Sequence, residues 1–116
     1  MEYIESMKFF HRDLRADNMF VAADQTIKIG DFGLSRDETT YSASFNSTFP
    51  YRWAAPEVWR ARLFSIKADV WSFGALVTEV FTKGKPPFHN LDSQQVIFHN
   101  CLKQIFSKTP VNLSNF

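Results

Sequence analysis

The sequence predicts an α+β fold, mainly helical, with one short β-hairpin. The first observation is a helix opening at Asp69. Val70, Phe73, Val77 and Phe81 fall on one face, and Trp71, Ala75, Leu76 and Val80 make the other faces apolar too. A helix apolar nearly all round is expected to be buried in a core. Gly84 and Pro86-Pro87 end it. The second observation is a pair of short strand-like runs, Met19 to Ala22 and Thr26 to Ile29, joined by Ala23-Asp24-Gln25 as a hairpin turn. The third is a last helix, about Ser93 to Phe106. Asp92 or Ser93 caps it, and Val96, Ile97, Cys101, Leu102 and Ile105 are its apolar residues.

The remaining elements follow in order. Tyr3, Ile4 and Met7 recur at helical spacing, so the chain opens on a piece of helix. His11 to Asn18 mixes charges without periodicity and reads as a loop. Ser35 to Thr48 holds seven Ser/Thr residues with few aliphatics. It reads as a long mobile loop, and loops of that length usually serve function. Pro50 and Pro56 bracket a second irregular segment, and Glu57 to Arg60 forms one helical turn. The tail from Ser107 is polar.

Bulk properties exclude several classes. The 116 residues amount to one domain or part of one. A content of 45% hydrophobic and 22% charged residues is that of a globular chain. The net charge of +1 gives no strong pull toward nucleic acid or a membrane surface. Three histidines and one cysteine make no His/Cys metal site, and the unpaired Cys101 favours a reducing compartment. Met1 to Glu5 carries two acids and is not a signal peptide. No apolar run approaches the roughly 20 residues that span a bilayer.

Chemistry concentrates near the start. His11-Arg12-Asp13 is followed by Asn18 and then by Asp31-Phe32-Gly33. At average residue usage these seven positions match by chance about once in 10⁹ trials. Phosphoryl transfer needs one group to position the attacking hydroxyl and two to hold magnesium against phosphates. Asp13, Asn18 and Asp31 have that chemistry in that order. Taken singly, Asp13 reads as a surface or capping residue, Asn18 as a turn residue and Asp31 as a turn former. Asp69 alone reads as an N-cap, Tyr41 as a loop tyrosine and Arg36 as a solvated charge. The joint pattern is what favours the chemical roles.

The run from His11 to Asn18, then Asp31-Phe32-Gly33, then Ala55-Pro56-Glu57, resembles the protein-kinase signature set. Asp69-Val70-Trp71-Ser72-Phe73-Gly74 adds a block similar to the central helix of the same lobe. The resemblance covers about residues 1 to 100. Leu14-Arg15-Ala16, Pro50-Tyr51-Arg52-Trp53 and Thr82-Lys83-Gly84 look most like Src-like cytoplasmic tyrosine kinases. The resemblance implies roles. Asp13 accepts or orients the proton of the acceptor hydroxyl, with Arg15 beside it. Asn18 and Asp31 bind Mg²⁺ (or Mn²⁺) on ATP. Phe20 forms part of the floor under adenine. Pro50, Arg52 and Trp53 cradle a protein substrate presenting tyrosine. Tyr41 is the phosphorylation candidate, with Arg12 and Arg36 as its cations. His11 and Phe32 stack, and Gly33 completes the second motif. Glu57 pairs with an arginine on a later helix. Asp69 hydrogen-bonds the backbone at His11 and Arg12.

Three residues depart from the pattern. Phe20 stands where most kinases carry leucine, Asp17 where Src-like kinases carry a small residue, and Tyr51 where they carry an aliphatic one. The four glycines, Gly30, Gly33, Gly74 and Gly84, form no G-x-G loop, and no strand lysine precedes His11. The expectation is therefore a kinase-like C-lobe fragment with the N-lobe absent. Residues 1–106 form the partial kinase domain and 107–116 a divergent tail. The resemblance implies a cytoplasmic protein, ATP as co-substrate, little activity for this chain alone, and no nucleic-acid partner or direct membrane insertion. Two alternatives are a Ser/Thr or dual-specificity kinase and a non-catalytic kinase-like binding module.

Overall fold

The computed structural model describes residues 1–32, 40–46 and 48–99. Helix α1 (Glu2–Ser6) leads into the loop at His11, which closes in a single 3-10 turn at Ala16–Asn18. Strands β1 (Met19–Val21) and β2 (Ile27–Ile29) form the expected hairpin, antiparallel, with Phe20 opposite Lys28. Its turn carries Gln25 at φ 67°, and the Gln25 amide donates to the Ala22 carbonyl.

A second antiparallel pair lies outside the sequence expectation. Strand β3 (Thr40–Ser42) falls in the stretch expected to be a loop. It pairs with β4 (Leu63–Ser65), placing Tyr41 opposite Phe64. Between them stands helix α2 (Pro56–Ala61). Pro56 suits the first helical position, where its missing N–H is no loss. Arg62 ends the helix at φ 53°, turning the chain directly into β4.

Helix α3 (Ile66–Phe81) begins three residues before Asp69 because Ser65 caps it, its hydroxyl accepting the Ala68 amide. Gly84 closes it at φ 88°, donating its amide to the Glu79 carbonyl. Residues 93–99 are again helical. Asp92 caps them through a reciprocal pair: the Gln95 amide donates to Asp92 Oδ1 and the Asp92 amide to Gln95 Oε1.

The core gathers around α2 and β4, from Phe10, Ala43, Ala54, Ala55, Val58, Phe64 and Ala68, with Phe49, Trp59 and Trp71 packed against it. This corrects the expectation that α3 is buried all round. Val70, Phe73, Val77, Val80 and Phe81 are exposed. The helix instead buries Ala68, Asp69, Ser72, Leu76 and Glu79. The described residues cover one stripe of α3 and leave the other faces open. On that stripe Asp69, Ser72 and Glu79 meet backbone N–H groups, a carbonyl and an indole, which polar side chains can satisfy. Among the described residues no helix is long and apolar enough to cross a membrane.

Candidate active site

The irregular loop from His11 to Asn18 is shaped from outside by Asp69. Its carboxylate accepts the backbone N–H of His11 at 2.5 Å and of Arg12 at 3.0 Å. Arg12 is held at φ 73°, a region that side-chain-bearing residues rarely adopt. Burial pushes the Asp69 carboxyl above its ordinary value, and the two amides pull it back only in part.

His11 is fully buried and joins both motifs. Its Nδ1 accepts the Asp13 amide at 3.1 Å, so the proton resides on Nε2, which faces the Gly30 carbonyl at 2.8 Å. The Gly30 amide donates to the Asn18 carbonyl at 2.9 Å. Asn18 Nδ2 donates to the Asp13 carbonyl at 2.7 Å. These four bonds close a ring through residues 11, 13, 18 and 30. Asp31 follows directly, exposed and at φ 54°. Three oxygen-bearing side chains are thus attached to one hydrogen-bonded unit.

Asn18 and Asp31 suit a hard cation. The Asn18 nitrogen is engaged by Asp13, which leaves its oxygen as the end that can ligate, and Asp31 adds a carboxylate. Among the described residues no three His, Cys, Asp or Glu side chains cluster to form a complete metal cage. Two oxygen donors completed by phosphate and water are what Mg²⁺ ordinarily takes.

Arg15 Nε lies 3.2 Å from Asp13 Oδ1, and Nη1 lies 3.7 Å from the exposed Asp17. The guanidinium also stands over the Trp53 ring at 5.6 Å. Asp13, Arg15, Thr48, Phe49 and Pro50 line an open pocket of about 270 Å³. The expected catalytic pair and the start of the expected substrate segment therefore share one surface.

Arg52 faces inward within that segment. Its Nη1 donates to the carbonyls of Pro87 and Phe88, Nη2 to that of Leu91, and Nε to the Tyr51 hydroxyl. It fastens the segment to the chain after α3. Tyr51 shares its hydroxyl with Ser93 Oγ at 3.0 Å. That bond first, and the one from Arg52 second, hold the phenol below its ordinary value.

Phe32 meets His11 edge-on at 4.8 Å and Phe9 at 5.7 Å. Phe20 is 55% exposed and lies against Gly30. The Arg12 guanidinium stacks 4.2 Å over Phe64, the register partner of Tyr41. Glu57 lies in the first turn of α2 and forms no ion pair among the described residues. Gly33 and Arg36 lie outside the described residues.

The family model for protein tyrosine and serine/threonine kinases matches residues 1–113. The chain belongs to that kinase family. Its relatives include the human tyrosine-protein kinase TXK, 46% identical over 99 residues, covering 84% of this chain and 19% of that protein. The human tyrosine-protein kinase ABL2 is 47% identical over 98 residues, covering 83% of this chain and 8% of that protein. The mouse ABL2 kinase matches equally. This kinase chain thus spans a fifth or less of the length of these relatives.

No motif marks Glu79, which the kinase fold nevertheless buries beside the site. Its Oε2 accepts both the Ala16 amide and the Trp53 indole N–H, each at 2.8 Å. Ser72 works beside it, its hydroxyl donating to the Trp53 carbonyl at 2.8 Å. The sequence does carry a signal. Asp69, Ser72, Leu76 and Glu79 are spaced three, four and three apart, one stripe of a helix.

Proposed function

We propose that the chain is the catalytic-loop portion of a protein tyrosine kinase, transferring the γ-phosphoryl group of ATP to a protein tyrosine. The observation that carries this reading is the hydrogen-bonded ring through His11, Asp13, Asn18 and Gly30, with Asp31 attached. Phosphoryl transfer asks the protein mainly for position and charge. Asp13, at the pocket shared with Pro50, orients the acceptor hydroxyl and takes its proton. Arg15 holds Asp13 and adds positive charge where phosphate charge must be met. Asn18 and Asp31 hold Mg²⁺ (or Mn²⁺), which when bound neutralises phosphate oxygens. Phe20 supports the base of the nucleotide. Pro50 and Trp53 receive the tyrosine-bearing segment, and Arg52 anchors them from behind. Tyr41 is the site whose phosphorylation regulates the loop, with Arg12 and Arg36 as its cations.

These 116 residues contain no G-x-G loop to cover the phosphates. The purified chain alone is therefore expected to show little phosphotransfer to a tyrosine peptide in a radiometric assay, and robust turnover would overturn that expectation. The reaction itself is tested by a graft. Residues 1–99 replace the matching segment of the human TXK kinase. The graft should form phosphotyrosine and lose it on Asp13→Asn. Phosphoserine or phosphothreonine as the sole product would favour the Ser/Thr reading, and no product would favour the binding module.

A further inference from the structure

We infer that Glu79 is a positioning residue that couples the substrate segment to the catalytic loop. The inference rests on the tyrosine-kinase reading for its functional meaning, and on geometry for its existence. Glu79 is only 6% exposed, while Val70, Phe73, Val77, Val80 and Phe81 of the same helix are exposed. A buried carboxyl group is retained where it meets donors that nothing else can satisfy. The two donors come from separate pieces of chain. One is the Ala16 amide, which follows Arg15 in the catalytic loop. The other is the indole of Trp53, at the end of the segment that begins at Pro50.

One oxygen therefore sets the spacing between the two pieces. The indole, pinned by its Nε1–H and by the Ser72 bond to its backbone carbonyl, turns its ring toward Arg15. Arg15 in turn lies against Asp13. The series Glu79, Trp53, Arg15, Asp13 runs from the helix to the group expected to take the substrate proton. Loss of the Glu79 oxygen leaves Trp53 free to rotate about its side-chain bonds, and Arg15 loses the surface it stacks on.

Nuclear magnetic resonance on the purified chain reads this series without requiring phosphotransfer. In the parent chain the Trp53 indole N–H and the Ala16 amide should exchange with solvent at least about tenfold slower than in a free peptide. Glu79→Gln keeps an oxygen at the same reach and should leave both signals, and Arg15 Nε–H, near their parent frequencies. Glu79→Asp draws the carboxylate back by one methylene. It should lose the protection of at least one donor and move the Arg15 Nε–H signal. Glu79→Leu should abolish protection of both donors. A carboxyl group that only holds the fold together would lower the melting temperature in Glu79→Asp while leaving Arg15 Nε–H in place, and that result overturns the inference. Fast exchange of the parent Trp53 indole overturns it as well. Failure of the kinase reading would appear separately, as a graft enzyme that makes no phosphotyrosine.

Discussion

Asp69 accepts the backbone N–H of Arg12 at 3.0 Å, and Arg12 sits at φ 73°. The carboxylate and the unfavourable backbone conformation belong together, because one buried acceptor outside the loop over-determines a shape the loop would not hold alone. Asp69→Ala leaves two buried amides unpaired, each costing about 1–3 kcal/mol. The variant should lose roughly 2–6 kcal/mol of stability. Urea denaturation with the slope held in common measures it, and a loss under about 0.5 kcal/mol would separate Asp69 from the loop geometry.

The same carboxyl group gives stability a pH dependence with a defined sign. Its folded value is raised above 3.8 by burial, so the native state keeps the proton to a higher pH than the unfolded chain does. The contribution of Asp69 is thus greatest below 3.8 and is lost as the pH rises through the raised folded value. Asp69→Asn removes this titration. The melting temperature of the parent minus that of Asp69→Asn should fall as the pH rises from 3.8 through the raised folded value, and a rising difference would reverse the assignment.

Much of the site is legible in the sequence because its residues lie close along the chain. His11, Asp13, Asn18 and Asp31 occupy a span of 21 residues, and the hairpin between Asn18 and Asp31 has a local turn. Asp69 is distant but belongs to a recognisable block. The rest depends on pairings that no local pattern carries. Strand β3 exists because β4, some twenty residues later, offers it a partner. Glu79 reads as an interruption in an apolar helix until the loop that donates to it is in place. Arg52 reads as part of the substrate segment, and no local pattern shows that the carbonyls of residues 87, 88 and 91 fold back onto it.

His11 holds the two motifs together through opposite edges of one ring. His11→Phe keeps a ring against Phe32 but removes the partners of the Asp13 amide and the Gly30 carbonyl. Destabilisation of about 1–3 kcal/mol is expected. Hydrogen exchange should show the Asp13 amide losing its protection while the Ala68 amide, capped by Ser65, keeps its own. Loss of protection at both sites would mean general unfolding rather than a broken link.

Tyr51 provides a readout of how the substrate segment is fastened. Its phenol is held below 10.0 chiefly by Ser93 and next by Arg52. Tyrosinate absorbance should therefore contain a component that rises below pH 10 and disappears in Tyr51→Phe. Ser93→Ala should move that component back toward 10, because it removes the larger of the two bonds. An unchanged titration in Ser93→Ala would place the segment elsewhere.

Phe20 and Gly30 are coupled by space. A methyl group at position 30 would stand 2.4 Å from Phe20 Cε2 and 2.8 Å from Cδ2. The aromatic ring in the expected nucleotide floor therefore occupies, in its present rotamer, the space a side chain at position 30 would take. The Phe20 ring is half exposed and free to swing outward. Gly30→Ala should thus cost about 1 kcal/mol rather than unfold the chain. In a Phe20→Leu background the shorter side chain relieves the clash, and Gly30→Ala should be neutral or slightly stabilising through the unfolded state. A double-mutant cycle by thermal denaturation gives the coupling, expected at about 1 kcal/mol. Additive effects would mean that the ring and the glycine are independent, and that the backbone before Asp31 tolerates a side chain whatever residue occupies position 20.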